Sequence, residues 1–142
     1  MLFLSALIAC KPPASPLDDA TVSIPIAAIN DFHGSLYEAP IRKQPGRAQG
    51  GLPWLHAAMN TIRDQHPDLL VLDGGDLFQG SWPVNASQGR GPVEALNRLG
   101  VDAAAVGNHE FDYGGKEGGH PLRGALEHAA TKADFAWLAA NI

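Results

Sequence analysis

The sequence has little cysteine and no concentration of positive charge. Cys10 is the single cysteine among 142 residues, so the chain has no second thiol with which to form an internal disulfide, nor the set needed for a thiolate-bound metal. There is no block or stripe of Lys and Arg, and the formal net charge is −5, so a nucleic-acid polymer is not an expected partner. With 45% hydrophobic and 18% charged residues, the composition favours a folded globular domain over a disordered chain.

The apolar run at the N-terminus, MLFLSALIAC, is too short to span a bilayer, but it has the length of a signal-peptide core. Its end, LIAC, resembles the lipobox of bacterial lipoproteins, whose cysteine receives lipid and becomes the mature N-terminus. That resemblance implies lipidation of Cys10 and a location in the cell envelope, periplasmic or extracellular, with membrane contact only through the anchor. No Lys or Arg precedes the run, so either the natural start lies upstream or the likeness is accidental and this is an ordinary apolar N-terminus.

The domain organisation follows from composition. Residues 1–10 are interpreted as the signal segment, and residues 11–20, KPPASPLDDA, as an extended tether, because their prolines prevent a helix. Residues 21–142 then belong to a single domain. Its many glycines and prolines, 16 and 11 in the whole chain, favour a loop-rich α/β protein over a helical bundle.

Apolar, β-branched runs alternate with segments of helical spacing in this domain. Strands are predicted at 21–30, 69–72 and 101–105, and a fourth begins within 134–142. Helices are predicted at 52–66, 91–100 and 121–132, the last with Leu122 and Leu126 on one face. Pro25 indicates an edge strand or an early strand position. The order β-α-β-α-β-α-β predicts a parallel sheet, in which ligands bind beyond the carboxyl ends of the strands.

Each of the three complete strands is followed by polar residues at that end. They are Asp31 and His33 after the first strand, Asp76 after the second, and Asn108, His109 and Asp112 after the third. Because parallel strands point the same way, these side chains should converge on one rim of the sheet.

A metal site is the simplest explanation of this convergence. Acids and imidazoles crowded together repel one another or stay poorly solvated unless a cation neutralises them. A mixed set of carboxylate, imidazole and amide oxygen suits Zn, Mn, Fe or Co. Taken singly, each segment has a plainer reading: Asp-x-His as a turn with a hydrogen-bonded histidine, and Gly-Gly-Asp as a turn. The three together, in order and each after a strand, favour the metal.

Three segments, NDFHG, GGDLFQGS and GNHEFDYG, resemble the first three motifs of the calcineurin-like metallophosphoesterases. The Tyr-Gly after GNHEFD and the segment FAWLAANI are similar to the branch that contains bacterial 5′-nucleotidases, 2′,3′-cyclic-nucleotide phosphodiesterases and UDP-sugar hydrolases. The resemblance runs from about Ser23 to the end. It implies that this chain is the N-terminal half of a metallophosphoesterase α/β sandwich.

The same resemblance implies roles for the polar residues. Asp31 and His33 would hold the first of two divalent metals, and Asp76 would bridge both. Asn108 would bind the second metal through its amide oxygen. His109 would sit beside the substrate phosphate, with Asp112 accepting its other ring N–H; a carboxylate there fixes the tautomer and favours the charged imidazole. Glu110, on a tight turn between these residues, is interpreted as structural or supporting.

The reaction implied is hydrolysis of a small phosphoester, a nucleotide or a relative of one, by water activated between two metals. The family's later motifs, Gly-His and Gly-His-x-His, do not occur before Ile142, and His120 in Gly-Gly-His is interpreted as a surface residue rather than a substitute. We therefore expect a truncated chain that is poorly active or inactive alone. The alternative is a degenerate lipoprotein module that binds metal or nucleotide without catalysis.

Overall fold

The computed structural model describes residues 22–115 and 121–140. The predicted signal segment with Cys10, the predicted tether and His120 lie outside the described residues. The strands are β1 (Ile26–Ile29), β2 (Ala39–Pro40), β3 (Ala48–Gln49), β4 (Leu70–Asp73), β5 (Ala103–Ala105) and β6 (Ala136–Leu138). The α-helices are α1 (Leu52–Gln65), α2 (Trp82–Ser87), α3 (Arg90–Leu99) and α4 (Gly124–Ala130), and a 3-10 turn covers His109–Phe111.

Four strands form one parallel sheet in the order β1-β4-β5-β6. The register pairs Ile29 with Asp73, and Asp73 with Ala104, so β1, β4 and β5 end at nearly the same level. This confirms the predicted parallel sheet. It also confirms the expectation for Pro25, since β1 begins just after it and is the outer strand of the described sheet.

One face of the sheet packs against the helices. Val71 and Ala104 at the centre of the sheet are fully buried, and they meet Met59 of α1 and Leu96 and Leu99 of α3 in one core cluster. The neighbouring β4 residues Leu70 and Leu72 are only half-buried. A continuous apolar run such as residues 69–72 predicts a strand that is buried on both faces. In the described sheet, β4 is fully covered on one face only.

Helix α3 is the most deeply packed of the described helices. Its apolar residues recur at helical spacing, which places Val93, Leu96 and Leu99 in the core. It ends at Gly100, whose φ of 69° is left-handed, and such a conformation favours glycine because a Cβ is unfavourable there. This confirms the predicted end of that helix.

Three local features differ from the sequence prediction. A two-stranded antiparallel ribbon, β2 with β3, lies within residues 39–49, where the sequence predicts no strand, because its strands are too short to show any alternation. The six-residue helix α2 was also not predicted, although Pro83 stands in its first turn. Leu122 lies outside α4 and is 68% exposed, so the predicted pairing with buried Leu126 on one helix face is wrong.

Among the described residues, no helix combines the length and the apolar character that crossing a bilayer requires.

The packing of α3 gives a test of the core. Leu96→Ala should lower the free energy of unfolding by about 2–5 kcal/mol, because it leaves a cavity at a fully buried position. The measurement is urea denaturation followed by circular dichroism. Leu122→Ala makes the same chemical change at an exposed position and should cost far less. Equal losses in the two variants would contradict this description of the core.

Candidate metal centre

Asp31, His33 and Asp76 come together just beyond β1 and β4. Each offers one ligand atom, and these three atoms lie within 4.8 Å of one another. His33 Nε2 is 4.0 Å from Asp31 Oδ1. Asp31 is exposed and the other two are half-buried, so the group faces solvent at the edge of the sheet. Two carboxylates and an imidazole are a donor set that suits a divalent cation of borderline softness.

The backbone at these three residues is unusual. Asp31, His33 and Asp76 all have left-handed φ values, of 49°, 42° and 58°. Asp and His enter this region more readily than most residues, yet a non-glycine residue there is uncommon and costs free energy. Strain of this kind clusters at binding sites, and here it coincides with the predicted ligands.

Main-chain hydrogen bonds join the two loops that contain the candidate ligands. The Asp31 N–H donates to the Gly75 carbonyl, and the His33 N–H donates to the Asp76 carbonyl, both at 3.1 Å. Gly80 lies close to the loop after β1, because a Cβ there would be 2.4 Å from the His33 carbonyl oxygen. The side chains therefore converge because their backbones are in contact.

Glu110 secures the loop after β4 from the other side. This carboxylate is 1% exposed and accepts four backbone N–H groups. They belong to Leu77 at 2.7 Å, Asp76 at 3.1 Å, Phe78 at 3.2 Å and Gly107 at 2.6 Å. The interpretation of Glu110 as a structural residue agrees with these contacts, although the sequence did not indicate how many donors it satisfies.

His109 lies beside the three candidate ligands. Its ring is 5.0 Å from the His33 ring, centroid to centroid and nearly edge-on, and its backbone N–H donates to Asp76 Oδ1 at 3.1 Å. Its Nδ1–H donates to Asp112 Oδ2 at 2.6 Å. The hydrogen bond to Asp112 raises the pKa of His109 above its ordinary 6.5, and the nearby charges of Asp76 and Glu110 act in the same direction.

Asn108 follows directly after Gly107, which touches Asp76. A Cβ on Gly107 would meet Asp76 Oδ1 at 2.3 Å, so glycine is needed for the close approach of these loops. Asn108 is exposed, and it directly precedes the 3-10 turn that begins at His109. The structure thus places Asn108 at the rim formed by the other candidates.

Two further groups near the site were not predicted. The Tyr113 hydroxyl accepts the Gln79 N–H at 2.9 Å and donates to Asn85 Oδ1 at 2.7 Å. Asp73 is 5% exposed; its Oδ1 accepts the Gly75 N–H at 2.7 Å. Burial raises the Asp73 pKa to about 6, and the charges of Glu110 and the other nearby acids add to the rise. The pattern of predicted strands does not indicate these contacts, because Asp73 is the last residue of β4 and Tyr113 lies in a turn.

A cleft adjoins the site on the side of β1. It has a volume of about 530 Å³ and is lined by Asn30, Asp31, Ser35 and Trp54 among others. Trp54 is 60% exposed, and its indole N–H donates to Glu38 at 3.2 Å. A small molecule in this cleft would therefore reach Asp31.

Comparisons with known proteins show the family to which the chain is similar. A family model described as calcineurin-like phosphoesterase matches residues 24–141. The 5′-nucleotidase of Rattus norvegicus is 31% identical, over 100% of this chain and 23% of its own length. The snake venom 5′-nucleotidase of Gloydius brevicauda is 39% identical, over 66% of this chain and 15% of its own. The crystal structure of a 5′-nucleotidase precursor from Thermus thermophilus superposes with a TM-score of 0.70 at 28% identity, covering 83% of this chain and 22% of that one. The chain therefore spans less than a quarter of the length of each of these relatives.

The contacts of Glu110 give a test of the loop geometry. Glu110→Gln replaces one acceptor oxygen by an amide that faces N–H donors, so the free energy of unfolding should fall by at least about 1.5–3 kcal/mol. Glu94→Gln is the matched control, because Glu94 is exposed and pairs with Arg98 on the same helix. Chemical denaturation measures both. A Glu110→Gln loss no larger than that of Glu94→Gln would show that the carboxylate does not hold the loop.

The His109–Asp112 pair gives a second test. Asp112→Asn should lower the His109 pKa towards 6.5, as measured by NMR titration of the metal-free chain. Because the folded pKa is raised, the stabilisation from this pair is complete below pH 6.5 and is lost as the pH rises through the folded pKa. The stability gap between wild type and Asp112→Asn should therefore shrink at alkaline pH. Asp134→Asn, at an exposed position, should leave the His109 titration unchanged.

Proposed function

The chain belongs to the calcineurin-like phosphoesterase family, in the branch of the 5′-nucleotidases, and on that premise we propose that the protein is a metal-dependent phosphoester hydrolase. Its substrates would be nucleotides or related small phosphoesters, as the names of its relatives suggest. A nucleic-acid polymer is not proposed as a substrate, since the chain has no basic stripe. The activity proposed is that of the whole protein.

The observation that supports this most directly is the group of Asp31, His33 and Asp76. Three residues with left-handed backbones bring their ligand atoms within 4.8 Å of one another at the edge of a parallel sheet. Folding that assembles three strained residues and two carboxylates is costly unless binding offsets it. A divalent cation offsets both costs.

We assign Asp31 and His33 to a first metal, Asp76 to a position bridging two metals, and Asn108 to the second. Zn, Mn, Fe and Co all accept this mixed set of oxygen and nitrogen donors. When bound, the metals would neutralise the substrate phosphate and lower the pKa of the attacking water. Further ligands would come from elsewhere in the whole protein.

His109 and Asp112 are the residues we assign to chemistry at the phosphate. Asp112 accepts the hydrogen bond of Nδ1–H and leaves Nε2 free to face the substrate. The raised pKa keeps more of the imidazole charged near neutral pH, so that it attracts the negative charge that grows on the phosphoryl group. From the same position it can donate a proton to the leaving oxygen.

We propose a location outside the cytoplasm, in the cell envelope or beyond it. The support is the LIAC segment at Cys10, together with relatives named as venom proteins. Lipidation of Cys10 stays a prediction of the sequence, because that residue lies outside the described part of the chain.

Two substitutions in the intact protein distinguish the catalytic role proposed for His109 from the metal-binding role proposed for Asp76. His109→Ala should leave metal content nearly unchanged and lower the hydrolysis rate by about 10²–10⁴-fold, since it removes one acid–base group. Asp76→Ala should empty at least one metal position. Metal content is measured by elemental analysis, and activity with AMP, UDP-glucose and bis-p-nitrophenyl phosphate, with and without added Mn or Zn.

Asp68→Ala is the control, because it removes an exposed carboxylate that precedes β4, at the opposite end of that strand from Asp76. If His109→Ala loses metal as readily as Asp76→Ala, the division of roles is wrong. If the intact wild-type protein binds metal but hydrolyses none of the three substrates, the proposal of a hydrolase is wrong and the alternative of a non-catalytic binding module is favoured.

A further inference from the structure

Tyr113 is held against the loop after β4 by its ring and its hydroxyl. The ring packs on the buried Phe78, with centroids 5.7 Å apart. The hydroxyl accepts the Gln79 N–H at 2.9 Å and donates to Asn85 Oδ1 at 2.7 Å. Burial raises the pKa of this phenol, so it remains a proton donor at neutral pH.

The group that Tyr113 holds is one peptide unit, the link between Phe78 and Gln79. The N–H of that unit donates to Tyr113. Its carbonyl oxygen, on Phe78, lies 3.3 Å from His33 Nδ1. The N–H and C=O groups of a trans peptide point in opposite directions. The plane of this peptide therefore has the Tyr113 phenol on one side and the His33 imidazole on the other.

The backbone strain at Gln79 favours rotation of this peptide. Gln79 has a φ of 66°, which costs free energy in a residue with a side chain. Rotation of the peptide plane changes only ψ of Phe78 and φ of Gln79, and it would relieve that strain. The same rotation would turn the Phe78 carbonyl away from His33. The hydrogen bond to Tyr113 opposes it.

We propose that Tyr113 is a positioning residue that fixes the tautomer of His33 through the Phe78–Gln79 peptide. A carbonyl oxygen can only accept a hydrogen bond, so the contact selects the ring form with a proton on Nδ1. Nε2 then keeps its lone pair, and it is the ring nitrogen that approaches Asp31 Oδ1, at 4.0 Å. The inference rests on the proposed function in taking His33 as a metal ligand. Partners of this kind orient metal-binding imidazoles and strengthen the site.

Tyr113 directly follows Asp112, which accepts the hydrogen bond from Nδ1 of His109. One short turn therefore orients both imidazoles of the site: His109 through a carboxylate and His33 through a peptide carbonyl.

The test compares Tyr113→Phe with Tyr37→Phe in the intact protein. Both remove one phenolic hydroxyl, and Tyr37 is 71% exposed. Tyr113→Phe should weaken Mn binding by about 10–100-fold in a calorimetric titration, whereas Tyr37→Phe should match wild type. Asn85→Ala leaves the hydroxyl able to accept from Gln79, so its effect should fall between the two.

The tautomer of His33 gives a readout that a general loss of stability would not produce. In nitrogen-15 NMR spectra of the metal-free chain, recorded well below the melting temperature, wild type and Tyr37→Phe should show His33 protonated on Nδ1. Tyr113→Phe should show a mixture of the two tautomers. The His33 signals are assigned by their absence from the spectrum of the His33→Gln variant.

A wild-type tautomer together with wild-type Mn affinity in Tyr113→Phe would overturn the proposal, as would a larger effect from Asn85→Ala. Failure of the proposed function looks different. In that case wild type itself binds no Mn, while the tautomer comparison in the metal-free chain still reports on Tyr113.

Discussion

The carboxylate of Glu110 is the contact on which the geometry of the candidate site depends. A buried charge is unfavourable unless hydrogen bonds replace its water, and Glu110 receives four from the backbone. Three of these donors are consecutive residues after β4, and the fourth precedes the turn that contains Glu110 itself. The carboxylate thus joins the ends of two neighbouring strands. The positions of Asp76 and of His109 are set by the same side chain, although Glu110 itself is buried and faces no substrate.

The backbone is left-handed at Asp31, His33 and Asp76, in the two loops that meet at the candidate site. A strand that simply continued would carry successive side chains to opposite faces of the sheet. A left-handed residue turns the chain sharply, so that side chains from two loops point to one place at the strand ends. The strain persists because hydrogen bonds between the loops hold it, from Asp31 to Gly75 and from His33 to Asp76.

The parallel sheet and the membership of the polar cluster were predictable because each depends on a local pattern. Apolar runs marked the strands, and Asp31, Asp76 and His109 each follow one. The family resemblance was confirmed as well. The supporting contacts were not predictable. No spacing in the sequence reveals that Glu110 reaches three N–H groups more than 30 positions earlier, or that Tyr113 reaches Gln79. The ribbon of β2 and β3 was missed because two-residue strands have no period to detect.

The two imidazoles of the site differ through the partner of one ring nitrogen. Both have Nδ1 engaged, and their rings lie 5.0 Å apart. His109 faces the carboxylate of Asp112, which favours a positive charge on the ring. His33 faces a neutral carbonyl, which selects a tautomer without requiring a charge. A metal ligand must offer a lone pair, whereas a group that attracts phosphate benefits from a proton. The same residue type therefore suits the two different roles proposed for His33 and His109, because one Nδ1 partner is a peptide carbonyl and the other a carboxylate.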